Sequence, residues 1–153
     1  MIYLGADHRG YNLKEKIKDW LLDWGYEYED CGAFELNDWD DYPDFTSVVG
    51  RQIAHNHNSE EKMGIVICGS GIGVDIVANK FKGIRCGLAI NSDQIKSARE
   101  DDDINVLAIA SDYIKENQAK EIIKVFLETK FSSQDKYIRR INKIGKIEEN
   151  LST

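Results

Sequence analysis

Short apolar runs alternate along this chain with longer stretches in which apolar residues recur every three to four positions, which predicts strands and helices in turn. Ile2 to Ala6 is the first run. Tyr11 to Trp24 then sets Leu13, Ile17, Trp20, Leu21 and Trp24 on one helical face and stops at Gly25. Tyr26 to Cys31 reads as a second strand. After a polar, aromatic loop, Pro43 suits the first turn of a helix running to about His55. Met63 to Ile67 is a third strand, Ile72 to Lys80 a helix, Ile84 to Ile90 a fourth strand and Ser92 to Glu100 a helix. Asn105 to Ile109 and Lys115 to Glu128 complete the alternation, and helical spacing resumes from about Ser133 to the tail.

Strands and helices in strict alternation imply β-α-β crossovers and a mainly parallel sheet covered on both faces. Ligands of such sheets bind at the carboxyl ends of strands. That rule selects the loops after Ala6, Cys31, Ile67, Ile90 and Ile109, and the first and third of these carry reactive side chains. The last helix carries Lys136, Arg139, Arg140, Lys143 and Lys146 and has no following strand to return it to the sheet, so it is expected to pack on another subunit.

Composition narrows the class. A chain of 153 residues, 42% apolar and 31% charged, fits one soluble domain spanning residues 1–153. The longest apolar runs are strand-sized, and Met1-Ile2-Tyr3-Leu4 has neither a basic flank nor a cleavage site, which points to the cytoplasm. A net charge of −7 argues against nucleic acid or an anionic membrane as the main partner. Cys31, Cys68 and Cys86 are odd in number and lack metal-site spacing, so free thiols are expected and neither a disulfide framework nor a zinc site is indicated.

The richest stretch is Gly64-Ile65-Val66-Ile67-Cys68-Gly69-Ser70-Gly71-Ile72-Gly73. It places a thiol where a strand gives way to a helix, a junction whose free N–H groups and helix dipole favour a thiolate or an oxyanion. The plainer reading is a buried thiol beside turn-forming glycines. The glycine spacing is a poor match to a dinucleotide fingerprint, whose third glycine falls one position later and after the first strand. In Gly5-Ala6-Asp7-His8-Arg9-Gly10, Asp7 suits either a sugar hydroxyl or the cap of the following helix, and His8 suits an anion. His55 and His57 read as solvated. In the loop from Asn37 to Asp41 the aspartates read as solvated, whereas Tyr42 reads as a ligand contact. Glu100-Asp101-Asp102-Asp103 sets four acids at a helix C-terminus, against the helix dipole, at a cost on the order of a kcal/mol, so an offsetting group is expected.

Together, Gly5-Ala6-Asp7-His8-Arg9-Gly10, Asp41-Tyr42-Pro43, Cys68-Gly69-Ser70-Gly71-Ile72-Gly73, Ala78-Asn79-Lys80 with Gly83-Ile84-Arg85, and Asn105-Val106-Leu107 resemble the ribose-5-phosphate isomerase B and galactose-6-phosphate isomerase family over nearly the whole chain. The resemblance implies a Rossmann-like three-layer α/β sandwich with a five-stranded parallel sheet and an extra C-terminal helix, about 133–149, seated on a partner subunit. It also implies a homodimer or tetramer with shared sites and metal-free aldose–ketose isomerisation of a sugar phosphate, with ribose 5-phosphate the foremost substrate. By the same resemblance Cys68 is the base acting through a cis-enediolate, and Gly69, Ser70, Gly71 and Gly73 stabilise the developing oxyanion. Asp7, Tyr42 and Asp102 contact the sugar, and His8, Lys136 and Arg140 hold the phosphate.

Besides Lys136, where the family usually has an arginine, two positions depart from the family pattern. Asp101 stands where the family carries the histidine assigned to ring opening, and Asp112 follows Ser111 where an arginine for the phosphate is expected. Either Asp101 does the histidine's work, or the substrate is an open-chain sugar phosphate such as a tetrose, or the substrate differs at its phosphate end. A non-catalytic sugar-phosphate-binding subunit is the alternative of a different class.

Overall fold

The computed structural model describes residues 1–54 and 61–151. His55 and His57 lie outside the described residues. Five strands, β1 (Ile2–Ala6), β2 (Tyr28–Asp30), β3 (Met63–Cys68), β4 (Cys86–Leu88) and β5 (Val106–Ala110), alternate with α1 (Tyr11–Asp23), α2 (Tyr42–Ala54), α3 (Ile72–Ala78), α4 (Ser92–Asp102) and α5 (Glu116–Glu128). A final helix, α6 (Asp135–Leu151), follows. The sheet is parallel throughout, in the order β2-β1-β3-β5-β4.

Period-two alternation in the strands divides the core into two layers. Ile65, Ile67, Leu107 and Ile109 face α1, α4 and α5, whose Ile17, Trp20, Leu21, Ile95, Ile122, Ile123 and Phe126 pack onto them. Val66, Cys68, Val106 and Ala108 face α2 and α3, with Val49, Ile53, Val74 and Ala78. In α5, Ala119, Ile122, Ile123 and Phe126 follow the spacing i, i+3, i+4, i+7 and are fully buried. Each of the three larger side chains stabilises the fold by roughly 1.5–3 kcal/mol.

Differences from the expected boundaries have local causes. The edge strands β2 and β4 are three residues each, shorter than the runs Tyr26–Cys31 and Ile84–Ile90, because each pairs on one side only. Backbone hydrogen bonds from Ile2 N–H to Glu27 and from Cys31 N–H to Leu4 nevertheless frame β2. Short, partly charged edges also limit pairing with other chains. Helix α3 stops at Ala78, where the Asn79 side chain turns to bond Asp75 and Cys86. Helix α4 runs two residues past Glu100, to Asp102, so the acidic residues belong to its last turn and cap.

The sheet order decides where a ligand can sit. The chain leaves β1 towards β2 on one side and resumes with β3 on the other, so the carboxyl ends of β1 and β3 form the topological switch point, where crevices open in such folds. These are the strands that end in Ala6 and Cys68.

Candidate active site

Three loops converge at that switch point. Gly10 packs so closely on β3 that a Cβ there would lie 2.7 Å from Ile67 Cγ2 and 2.8 Å from its carbonyl oxygen, which brings the Asp7–Gly10 turn against the Cys68 loop. Asp7 is buried, and its Oδ1 accepts from the Arg9 and Gly10 N–H groups, both at 3.0 Å. Both donors precede α1, whose N-cap is Gly10 with no side-chain cap bond, so Asp7 fastens the turn before the helix and does not cap it. Burial raises the Asp7 carboxyl above its ordinary value, against the lowering effect of the Gly10 bond.

Cys68 ends β3 on the α2/α3 face, and its Sγ accepts from the Gly71 N–H at 3.2 Å. Gly71 makes this possible with a φ of +71°, a left-handed turn that glycine adopts without strain, at the start of α3. The Ser70 hydroxyl oxygen accepts from the Ile72 N–H at 3.4 Å. Gly73 leaves room for Tyr42 at the start of α2: a Cβ on it would lie 2.6 Å from the phenol Cζ. Burial pushes the other thiols up, Cys31 to about 12 and Cys86 beyond the ordinary thiol range, which leaves both inert near neutrality.

His8 gives its ring Nδ1 to Asp40 Oδ1 at 2.7 Å, and its backbone N–H donates to the same oxygen at 3.0 Å. This corrects the reading of the loop aspartates. Asp38 and Asp41 are exposed, but Asp40 is only 8% exposed and folds back onto His8. Sequence spacing could not reveal it, because the partners are 32 residues apart.

Arg9 and Asp112 form an ion pair, and Arg9 lies over Gly69, where a Cβ would come within 2.3 Å of the guanidinium carbon. Asp112, which stands where an arginine for the phosphate is expected, therefore has a counter-charge beside it. The offset foreseen for the acidic run is also present. Arg85 Nη2 pairs with Asp103 at 2.8 Å and its Nε donates to the Asp102 carbonyl at 2.9 Å, while buried Arg99 pairs with Asp103 at 2.9 Å.

Not every candidate meets Cys68 within one chain. Gly64 is in register with Val106 and Cys68 with Ala110, so Asp101 and Asp102, which precede β5, lie towards the amino end of the sheet, about 13 Å of strand away. Lys136 and Arg140 are exposed on α6, flanking the Tyr137 ring. That helix touches the main body along α4 and through the Gly83 N–H bonded to Glu148. Ile138, Ile144 and Ile147 are left exposed along it. Beside the switch point, Leu88, Ile90, Ala110, Tyr113 and Gln118 line a hollow of about 380 Å³ that has no charged group to hold an anion. Among the described residues no group of three or more His, Cys, Asp or Glu is placed to hold a metal ion, and no helix is long and apolar enough to cross a membrane.

A parallel α/β sheet with a thiol, a glycine loop and an acid-paired histidine at its switch point defines a Rossmann-like protein. Residues 2–144 match the family model described as Ribose/Galactose Isomerase, and the chain belongs to that family. It is 37% identical over 148 residues to the putative sugar phosphate isomerase YwlF of Bacillus subtilis, covering 97% of each chain. Ribose-5-phosphate isomerase B from Mycoplasma genitalium, solved with bound ribulose-5-phosphate, superposes with a TM-score of 0.91 at 34% identity, over 97% of this chain and 95% of that one. The ribose-5-phosphate isomerase B of Clostridium thermocellum gives a TM-score of 0.91 at 38% identity over 98% of each.

Proposed function

We propose that this protein interconverts ribose 5-phosphate and ribulose 5-phosphate, with Cys68 as the catalytic base. The observation that carries the reading is Cys68 Sγ at the head of α3, accepting from the Gly71 N–H at the switch point, in a chain that belongs to the isomerase family. The ribulose-5-phosphate bound to the Mycoplasma genitalium relative supports the choice of sugar.

The thiolate takes the proton from C2 of the open-chain aldose as the C1 carbonyl becomes an enediolate oxygen. Backbone N–H groups from Gly69 to Gly73 and the Ser70 hydroxyl stabilise that oxygen, and each donor of this kind lowers the barrier by about 3 kcal/mol. The proton passes from O2 to O1, and Cys68 returns its proton to C1, giving the ketose. Asp7 and Tyr42 hold sugar hydroxyls, and His8 holds the phosphate. Asp101 assists ring opening, Asp102 contacts the sugar, and Lys136 and Arg140 reach the phosphate, all four from a second subunit. The position of Asp101 and Asp102 at the amino end of the sheet and the uncovered isoleucines of α6 support a homodimer with shared sites. Three free cysteines fit a reducing cytoplasm.

The test is proton NMR of four- to six-carbon aldose and ketose phosphates in D2O with the native protein and with Cys68→Ala. Deuterium entering C1 or C2 only with the intact thiol, fastest with ribose 5-phosphate, is the expected result. A tetrose phosphate reacting fastest would replace the substrate, and no exchange with any sugar would refute the isomerase reading.

A further inference from the structure

Asp40 is a carboxylate at the site that the isomerisation scheme leaves unused. One of its oxygens receives both the backbone N–H and the ring Nδ1 of His8. The other, Oδ2, is the buried side-chain polar atom found without a partner among the described residues. A buried carboxylate that is half satisfied is costly, and a cation on the satisfied side offsets the cost. His8 is the group in place to supply that charge. With Nδ1–H donated to Asp40, Nε2 is the nitrogen left to bind, and in the imidazolium it is a donor.

We infer that Asp40 is a positioning residue that holds His8 as an imidazolium and commits its Nε2–H to the anionic end of the substrate. The inference rests on the reading of His8 as a phosphate ligand. The groups facing His8 agree in sign. The Asp40 hydrogen bond raises His8 above the ordinary histidine range, partial burial opposes it, and the charges of Asp7 on the same loop and of Asp40 and Asp38 on the β2–α2 loop favour the cation. Arg9, the next residue, is engaged with Asp112. His8 therefore keeps its charge to a higher pH than an ordinary histidine and loses it as pH rises through the raised value.

The chain has three histidines, so their ring protons can be followed separately by proton NMR, with His8→Gln identifying the His8 curve. In Asp40→Asn that curve should move down towards pH 6.5, and Asp40→Glu should restore part of the shift. Between the His8 midpoints of the two proteins the KM for ribose 5-phosphate should rise about fivefold in Asp40→Asn, the difference between a charged and a neutral donor, and it should converge with the native value where His8 is protonated in both, with kcat little changed. An unmoved His8 curve in Asp40→Asn, or a KM rise of equal size across the pH range, would overturn the assignment. A native protein that turns over no sugar phosphate would sink the isomerase reading alone. The coupling would still be decided by the titration, using inorganic phosphate as the probe: phosphate should raise the His8 curve in the native protein and raise it less in Asp40→Asn.

Discussion

Replacing Lys14 with methionine tests how the ground beneath the site is held. Lys14 is fully buried on α1, with Nζ 2.6 Å from both Asp30 oxygens and 3.2 Å from Glu15. Asp30 ends β2, is 17% exposed, and also accepts from the Gly32 N–H at 2.9 Å and from Lys18 at 3.1 Å. Methionine keeps most of the aliphatic stem and removes the charge. Removing one partner of a buried pair costs about 3–5 kcal/mol, and the two donors that remain on Asp30 place this case near the lower end, about 3 kcal/mol. For a chain of this size that lowers Tm by roughly 6–12 °C. The loss has a pH signature. Burial pushes the Asp30 carboxyl up, but its bonds to Lys14, Gly32 and Lys18 outweigh burial and hold it below the ordinary value. A depressed carboxyl contributes stability that is present above its unfolded value, about 3.9, and that disappears as pH falls through the folded value. The gap between native and Lys14→Met should therefore be widest at pH 7 and narrow below about pH 4. Urea unfolding followed by circular dichroism at pH 7 and pH 3 measures both quantities. Equal losses at the two pH values, or a loss below about 1 kcal/mol at pH 7, would refute the pairing argument.

Other consequences follow from the same contacts. Arg85→Ala leaves the Asp102 and Asp103 carbonyls and the Asp103 carboxylate with fewer donors at the end of α4; thermal unfolding should show a loss of about 1–2 kcal/mol, smaller in high salt. Ile144→Asp with Ile147→Asp on α6 should convert a native dimer to a monomer in sedimentation equilibrium with the sheet still folded by circular dichroism; a native chain that sediments as a monomer would remove the basis for a shared site.

The strand–helix alternation and the two core layers were legible in the sequence because both are local periodicities. The continuous apolar run through Ile65, Val66 and Ile67 marks a strand covered on both faces, and the spacing of Ala119, Ile122, Ile123 and Phe126 marks one buried helix face, whatever the neighbours are. The Cys68 loop was legible for a similar reason, since a thiol followed by alternating glycines encodes its own turn. Contacts that cross many residues were not. Asp40 looks like any loop aspartate until α2 brings it to His8, Lys14 looks like a solvated lysine until β2 brings Asp30 beneath it, and Asp112 looks repulsive until Arg9 reaches it across the Cys68 loop. Periodicity and turn chemistry act within a few residues and so determined the elements and the thiol's place at a strand end. Asp101, on the helix that leads into β5, follows the strand–helix alternation to the amino end of the sheet, whereas strand order alone decided that the Asp7 and Cys68 loops share one crevice, because crossovers set neighbours that no local pattern records.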